Sequence, residues 1–283
     1  MPDKPSQIIC FVDDLEAGYV QSVLKGLRGP FEAAGWAIKA VPAGTLTMDQ
    51  RMGLLAQEAG RPEAGAAAFI HLQLGKDESE LFRAHGLPLG YIGGALDGVN
   101  SVLDDGVEGA RLALEHLHAL GHIRIGCIMG DRANREVRDR EAGVRVATQA
   151  QPSLAAGVSI QRIKDCTRAE GRSAALILLQ APSRPTALFC PTGDETALGA
   201  YDAAAELGLA VPQDLSIIGY DDLPAAASAA PPLTTLHQPL ERMGADMAAR
   251  LLADVAAPSD EPGPAMLMQP QLIQRQSTAA PKA

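Results

Sequence analysis

Three aspartates and one arginine stand where a bound molecule would meet them: Asp105, Asp194, Asp221 and Arg140. Each acid lies just beyond a short β-branched run, VNSVL, TALFC or LSIIGY, and in open α/β sheets ligands bind outside the carboxyl ends of the strands. Arg140 sits at the start of a helical segment. Carboxylates accept from hydroxyls and a guanidinium fork donates to ring or hydroxyl oxygens, which together make the polar frame of a sugar-like ligand. The same acids admit hydrolysis by a donor and a base across a bond. They also admit helix capping, for which Asp194 ahead of its helix is suited. The sequence contains no GxSxG elbow, P-loop, GxGxxG or HExxH to support catalysis. Ligand hydrogen bonding or capping is therefore the expectation, with no catalytic residues and no cofactor.

His116, His118 and His122 resemble a metal cluster, but their helix ends at Gly121 and the spacing does not put three imidazoles on one face. No metal is expected, and His122 reads as a residue that fixes the helix-to-strand corner. The four cysteines, Cys10, Cys127, Cys166 and Cys190, are far apart, with no CxxC pair; they read as small buried hydrophobes in a reducing compartment. Trp36 reads as packing. Tyr19 fits two roles equally, the first core residue of its helix or an aromatic facing a ligand.

Short β-branched runs alternate with stretches of helical period, the signature of βαβ units around parallel sheets. The series starts with IICFV, a helix from Tyr19 to Phe31 and AIKAV. It continues through a helix at Asp49 to Glu58, AAAFIHL, a short helix at Glu78 to His85, PLGYI, VNSVL and EGARLALEHLHAL. A second, similar half starts at IRIGCIM and runs to LSIIGY. Helix PLERMGADMAARLLADV and a final strand, PAMLMQPQLIQR, close the chain. Two Rossmann-like lobes with a cleft between them follow. The first is expected to comprise 8–121 and 239–262, the second 122–238 and 263–279, with three hinge crossovers and flexible ends at 1–7 and 280–283. The closing STAAPKA reads as frayed.

Length and composition support two lobes. The chain has 283 residues, 47% hydrophobic and only 4% aromatic, enough for a sizeable core. A formal net charge of -10 argues against this segment gripping a phosphate backbone, because that affinity comes from Lys and Arg displacing counterions. No window is long and apolar enough for a membrane span, and the first residues lack an export signal. A cytoplasmic protein without membrane contact is expected.

Several stretches resemble the effector-binding core of the LacI/GalR regulator family, whose fold is periplasmic-binding-protein-like, type I. They are DDGVEGARLALEHLHALGHIRIGCIMG, REAG at Arg140 to Gly143, the long run PTALFCPTGDETALGAYDAAAELGLAVPQDLSIIGYDDLPAAASAAPPLTTLHQPLERMG, and the closing LIQRQST. The similarity covers Ile8 to Thr278, strong after Val99 and weak before it. The resemblance implies a small-molecule effector, sugar-like or a related metabolite, held most firmly by Arg140 and Asp221. Asp105, Gly193, Leu240 and the loop Leu15 to Tyr19 are implied less firmly. It also implies a homodimer through the helix after Tyr19 and the segment Ala225 to Pro232, and operator DNA bound only through a helix-turn-helix head absent here. Three departures stand out. Gly193 replaces a customary Asn or Asp, the first-lobe loop reads LEAGYVQ instead of an Asn-Pro-aromatic sequence, and Cys166 stands where an aromatic is sometimes found. The alternative is a stand-alone sugar-binding protein of the same fold, against which the missing export signal counts.

Overall fold

The computed structural model describes residues 6–258 and 263–282. The chain opens with β1 (Gln7–Val12), α1 (Gly18–Ala33), β2 (Ala37–Pro42), α2 (Met48–Ala59), β3 (Ala64–Ile70), α3 (Lys76–Ala84), β4 (Leu89–Ile92) and β5 (Asn100–Asp104). It continues with α4 (Gly106–Ala119), β6 (Ile125–Met129), α5 (Arg135–Ala150), α6 (Pro152–Ala155), β7 (Val158–Arg162), α7 (Arg168–Leu179), β8 (Ala187–Phe189), α8 (Asp194–Glu206), β9 (Ser216–Asp221), α9 (Pro224–Ser228) and β10 (Thr234–His237). Last come α10 (Leu240–Ala256), β11 (Met266–Met268) and β12 (Gln271–Ile273).

These elements form two units. Unit 1 is Met1–Asp104 with Pro239–Met268, and unit 2 is Asp105–Gln238 with Gln269–Ala283. The chain therefore passes between them after Asp104, Gln238 and Met268. Each unit is built on one sheet, ordered β11-β5-β4-β3-β1-β2 in unit 1 and β12-β10-β9-β8-β6-β7 in unit 2. All pairings are parallel except β10 with β12. Every residue of β3 is buried, as a central parallel strand covered on both faces requires. Strand β7, at an edge, has no fully buried residue.

In unit 1, α1 buries Tyr19, Val20, Val23, Leu24, Leu27 and Phe31 at helical spacing, and burying one such side chain is worth about 1.5–3 kcal/mol. Its partner is α10. The two helices meet where Gly26 and Gly244 leave no side chain: a Cβ on Gly26 would lie 1.8 Å from the carbonyl oxygen of Glu241.

The structure corrects several sequence-based expectations. Helix α4 belongs to unit 2, not the first lobe, because its apolar face (Ala110, Ala113, Leu114, Leu117) shares a core with Ile125, Val144 and Tyr220. The single terminal strand is two strands: β11 pairs with β5 in unit 1 and β12 with β10 in unit 2, split at Gln269 and Pro270. The closing segment is not frayed, since Ser277 is fully buried and donates to the carbonyl of Ile217. Farther along, the Ala279 N–H donates to Ser216 Oγ and Lys282 pairs with Asp214. At the front, Gln7 already lies in β1, while residues 1–5 and 283 of the expected flexible ends lie outside the described residues.

Candidate functional site

In each sheet the strand order reverses at one place, between β1 and β3 in unit 1 and between β6 and β8 in unit 2. Chains leave such neighbouring strands in opposite directions, opening a crevice at their carboxyl ends. Both crevices carry polar groups.

In unit 2, Arg140 lies on α5 with only 5% of its surface exposed. One guanidinium nitrogen donates to the carbonyl of Pro191, just past β8, at 2.5 Å. The guanidinium carbon stands 3.9 Å from the centre of the Tyr220 ring, a cation–π contact that gains strength away from water. Glu136, one turn earlier, supplies a carboxylate at 3.8 Å. The guanidinium is thus fixed in place before any ligand arrives.

Asp221 ends β9 with φ 105°. It accepts from the side-chain amide of Gln238 at 2.6 Å. Beside it, Gly193 precedes α8 with φ 123°, a conformation that favours glycine, and a Cβ there would meet Asp221 Oδ2 at 2.9 Å. The customary Asn or Asp could not be placed here without displacing the Asp221 carboxylate. The adjacent Asp222 has φ 62° and pairs with Arg275 at 2.6 Å and His237 at 3.0 Å. Asp222 therefore braces the loop, and left-handed backbone at both acids, not simple strand alternation, separates their roles.

Of the two acids that precede helices, Asp105 is the one that caps. Asp105 is the N-cap of α4, accepting from the Glu108 N–H at 3.0 Å, whereas the sequence counted it among ligand contacts. Asp194 does not cap α8. Fully buried, it accepts from the Leu223 N–H at 2.7 Å and from the Thr235 hydroxyl at 2.6 Å, tying α8 to the segment after β9 and to β10. Burial, and then the neighbouring charge of Asp221, push its carboxyl up to about 8.

In unit 1, Tyr19 is 6% exposed, so it belongs to the core of α1. Its ring also packs 4.8 Å from that of His71. His71 follows β3, and its Nδ1 lies 2.7 Å from Asp13 Oδ2, which follows β1. Asp13 and His71 were missed, although both follow runs recognisable as strands. Leu240 is 4% exposed within unit 1, a packing position in this unit.

The histidines of α4 and its turn go to separate partners. His116 faces Thr278, His118 faces Gln151, and His122 is buried against Thr186, Ser216 and the carbonyl of Ala279. Cys10, Cys127 and Cys190 are buried, but Cys166 is exposed, contrary to the expectation for all four.

Residues 114–278 match the profile of the periplasmic binding protein-like domain. The chain belongs to that family. Among the proteins it is similar to are regulators of the LacI family. The HTH-type transcriptional repressor PurR of Yersinia enterocolitica is 38% identical over 184 residues, covering 65% of this chain and 53% of that protein. The chain spans about half the length of the curated relatives it matches. A LacI transcriptional regulator from a Rhodococcus species superposes with a TM-score of 0.84 at 25% identity, covering 96% of this chain and 98% of that one. A ribose-bound LacI-family regulator from Enterococcus faecium reaches 0.88 at 23% identity, covering 98% and 100%, and shows the shared fold.

Tyr220 and Gln238 act as supports of Arg140 and Asp221. Neither support was anticipated. Tyr220 reads as strand interior and Gln238 as the residue before a helix, and only the folded chain brings them to those partners.

Proposed function

We propose that this chain senses a small polar metabolite, sugar-like or related, and controls DNA binding by a helix-turn-helix segment outside this sequence. The observation that carries the reading is Arg140, buried, held over Tyr220 and bonded to the Pro191 carbonyl at a carboxyl-end crevice. A guanidinium fixed this way gives up little entropy when it donates to a ligand. Asp221 is proposed as the matching acceptor, with Gly193 as the bare backbone beside it. Tyr19, with Asp13 and His71, is proposed as a contact from unit 1.

The relatives' names support regulation over catalysis, so the chain is proposed to be a binding protein and not an enzyme. It is further proposed to act in the cytoplasm as a homodimer, through α1 and the segment Ala225 to Pro232. Among the described residues no helix is long and apolar enough to cross a membrane. Ligand would act by favouring one conformation over another, which requires unequal affinity for the two.

The test is thermal unfolding against sugars, sugar phosphates, polyols, nucleosides and small acids, with Arg140→Ala and Asp221→Ala as controls. A ligand at 100 times its dissociation constant adds about 2.7 kcal/mol of stability, a clear rise in midpoint. A rise lost in both variants supports the assignment. A rise that survives both removes these residues from the site.

A further inference from the structure

At the opposite end of the unit 1 sheet from Asp13 and His71, by the amino ends of β4 and β5, there is a cavity of about 450 Å3. Leu87, Leu89 and Val99 give it apolar walls, and Arg83, Asn100 and Asp254 give it polar ones. Its volume is in the range of small-molecule sites.

Asn100, the first residue of β5, is only 5% exposed. Its amide nitrogen donates to Asp254 Oδ2 at 2.6 Å. A carboxylate can only accept, so this contact fixes which end of the amide is which. The other end, Oδ1, is buried and has no donor among the described residues. Buried acceptors are rarely left unmatched, because an unpaired one has given up water for nothing.

Arg83 comes from the last turn of α3. Its guanidinium rests over the backbone of Gly98, with Nη2 3.0 Å from where a Cβ would stand. Among the described residues no carboxylate lies within ion-pair distance of it. The cavity therefore offers a carboxylate, a cation able to hold an acid group in a forked hydrogen bond, and aliphatic walls.

We propose that this cavity is a second binding site, for a small α-amino acid with an aliphatic side chain. Its carboxylate would meet Arg83, its ammonium the Asp254 carboxylate that Asn100 holds, and its side chain Leu87 and Val99. The site is separate from the effector crevices, and its assignment does not rest on the regulator reading.

The experiment is calorimetric titration of the whole chain with L-leucine, 4-methylpentanoate, which lacks the ammonium, and leucinamide, which lacks the carboxylate. Leucine is expected to bind saturably, and both analogues at least about tenfold more weakly. Arg83→Ala, an exposed change that leaves the core intact, should weaken leucine by a similar factor, as should Asn100→Leu. Arg140→Ala should leave the leucine titration unchanged while removing the response to the effector. Absence of leucine binding at millimolar concentration, or binding undiminished in Arg83→Ala, would overturn the proposal. Loss of leucine binding in Arg140→Ala would overturn it too, by placing leucine at the effector site.

Discussion

Adding one methyl group at Gly109 tests how Arg140 is held. Gly109 lies on α4, and a Cβ there would stand 2.2 Å from the Tyr220 hydroxyl oxygen and 3.0 Å from Cζ, where about 3.5–4.0 Å is comfortable for carbon neighbours. Tyr220 is fully buried and Arg140 covers its ring, so the ring cannot yield without disturbing the guanidinium. Overpacking of this kind costs typically 1–3 kcal/mol, and so severe a contact belongs at ~3. Alanine returns about 1 kcal/mol in helix propensity over glycine. The net expectation for Gly109→Ala is a loss of ~2 kcal/mol, or roughly 4–8 °C in unfolding midpoint for a unit of this size. Tyr220→Phe alone, giving up a hydrogen-bonding hydroxyl, should cost about 1 kcal/mol. The double variant should be no less stable than Gly109→Ala alone, because the nearest atom has gone. Guanidinium unfolding followed by circular dichroism gives all four corners of the cycle. Trp36, the single tryptophan, sits in unit 1 and reports that unit separately by fluorescence. If Gly109→Ala is neutral, or the two losses add within about 0.5 kcal/mol, the packing argument fails.

Three further outcomes are expected. The Asp194 carboxyl stands at about 8 against an ordinary 3.8, so its contribution is full below the lower value and drains away as pH rises to the upper one. Asp194→Asn should gain stability relative to the parent as pH is raised through that window, and an unchanged difference would show that Asp194 ionises freely in the fold. Burial lowers the pKa of His122 below 6.5, so stability present above that pH should fall as acid is added. The protection factor of the Ala279 amide, which donates to Ser216 beside His122, should fall on acidification in the parent but less so in His122→Gln; an equal fall in both would exclude His122 as the cause. Burial pushes the Cys10 and Cys127 thiols up to about 12 and raises Cys190 as well, so a thiol reagent should label Cys166 rapidly in native protein and all four only after denaturation.

The strands and helices were largely legible because buried β-branched runs and 3.6-residue periods are local signals. The position of Asp221 at the end of β9 was legible as well, since strand ends can be found from the pattern alone. Which sheet a helix covers is a different matter. Helix α4 follows β5 in the chain, yet its core partners include Val144 and Tyr220, and nothing within its own residues announces that. Which of Asp105 and Asp194 caps was hidden for a similar reason: both precede helices, and only the position of the Leu223 amide and the Thr235 hydroxyl draws Asp194 away from capping. Ser277 looked like part of a loose end because its anchoring is by hydrogen bonds to Ile217 and Thr234, and polar anchoring leaves no hydrophobic period to read.

The partnership of α1 with α10 has a consequence for how the protein is made. The apolar stripe of α1 is synthesised more than two hundred residues before the helix that covers it. While the ribosome works through unit 2, Val23 and Leu27 wait without their cover, and the last strand of each sheet is still to come. Unit 1 cannot finish folding as an early, independent product of translation, and its nascent form is the state most in need of a chaperone.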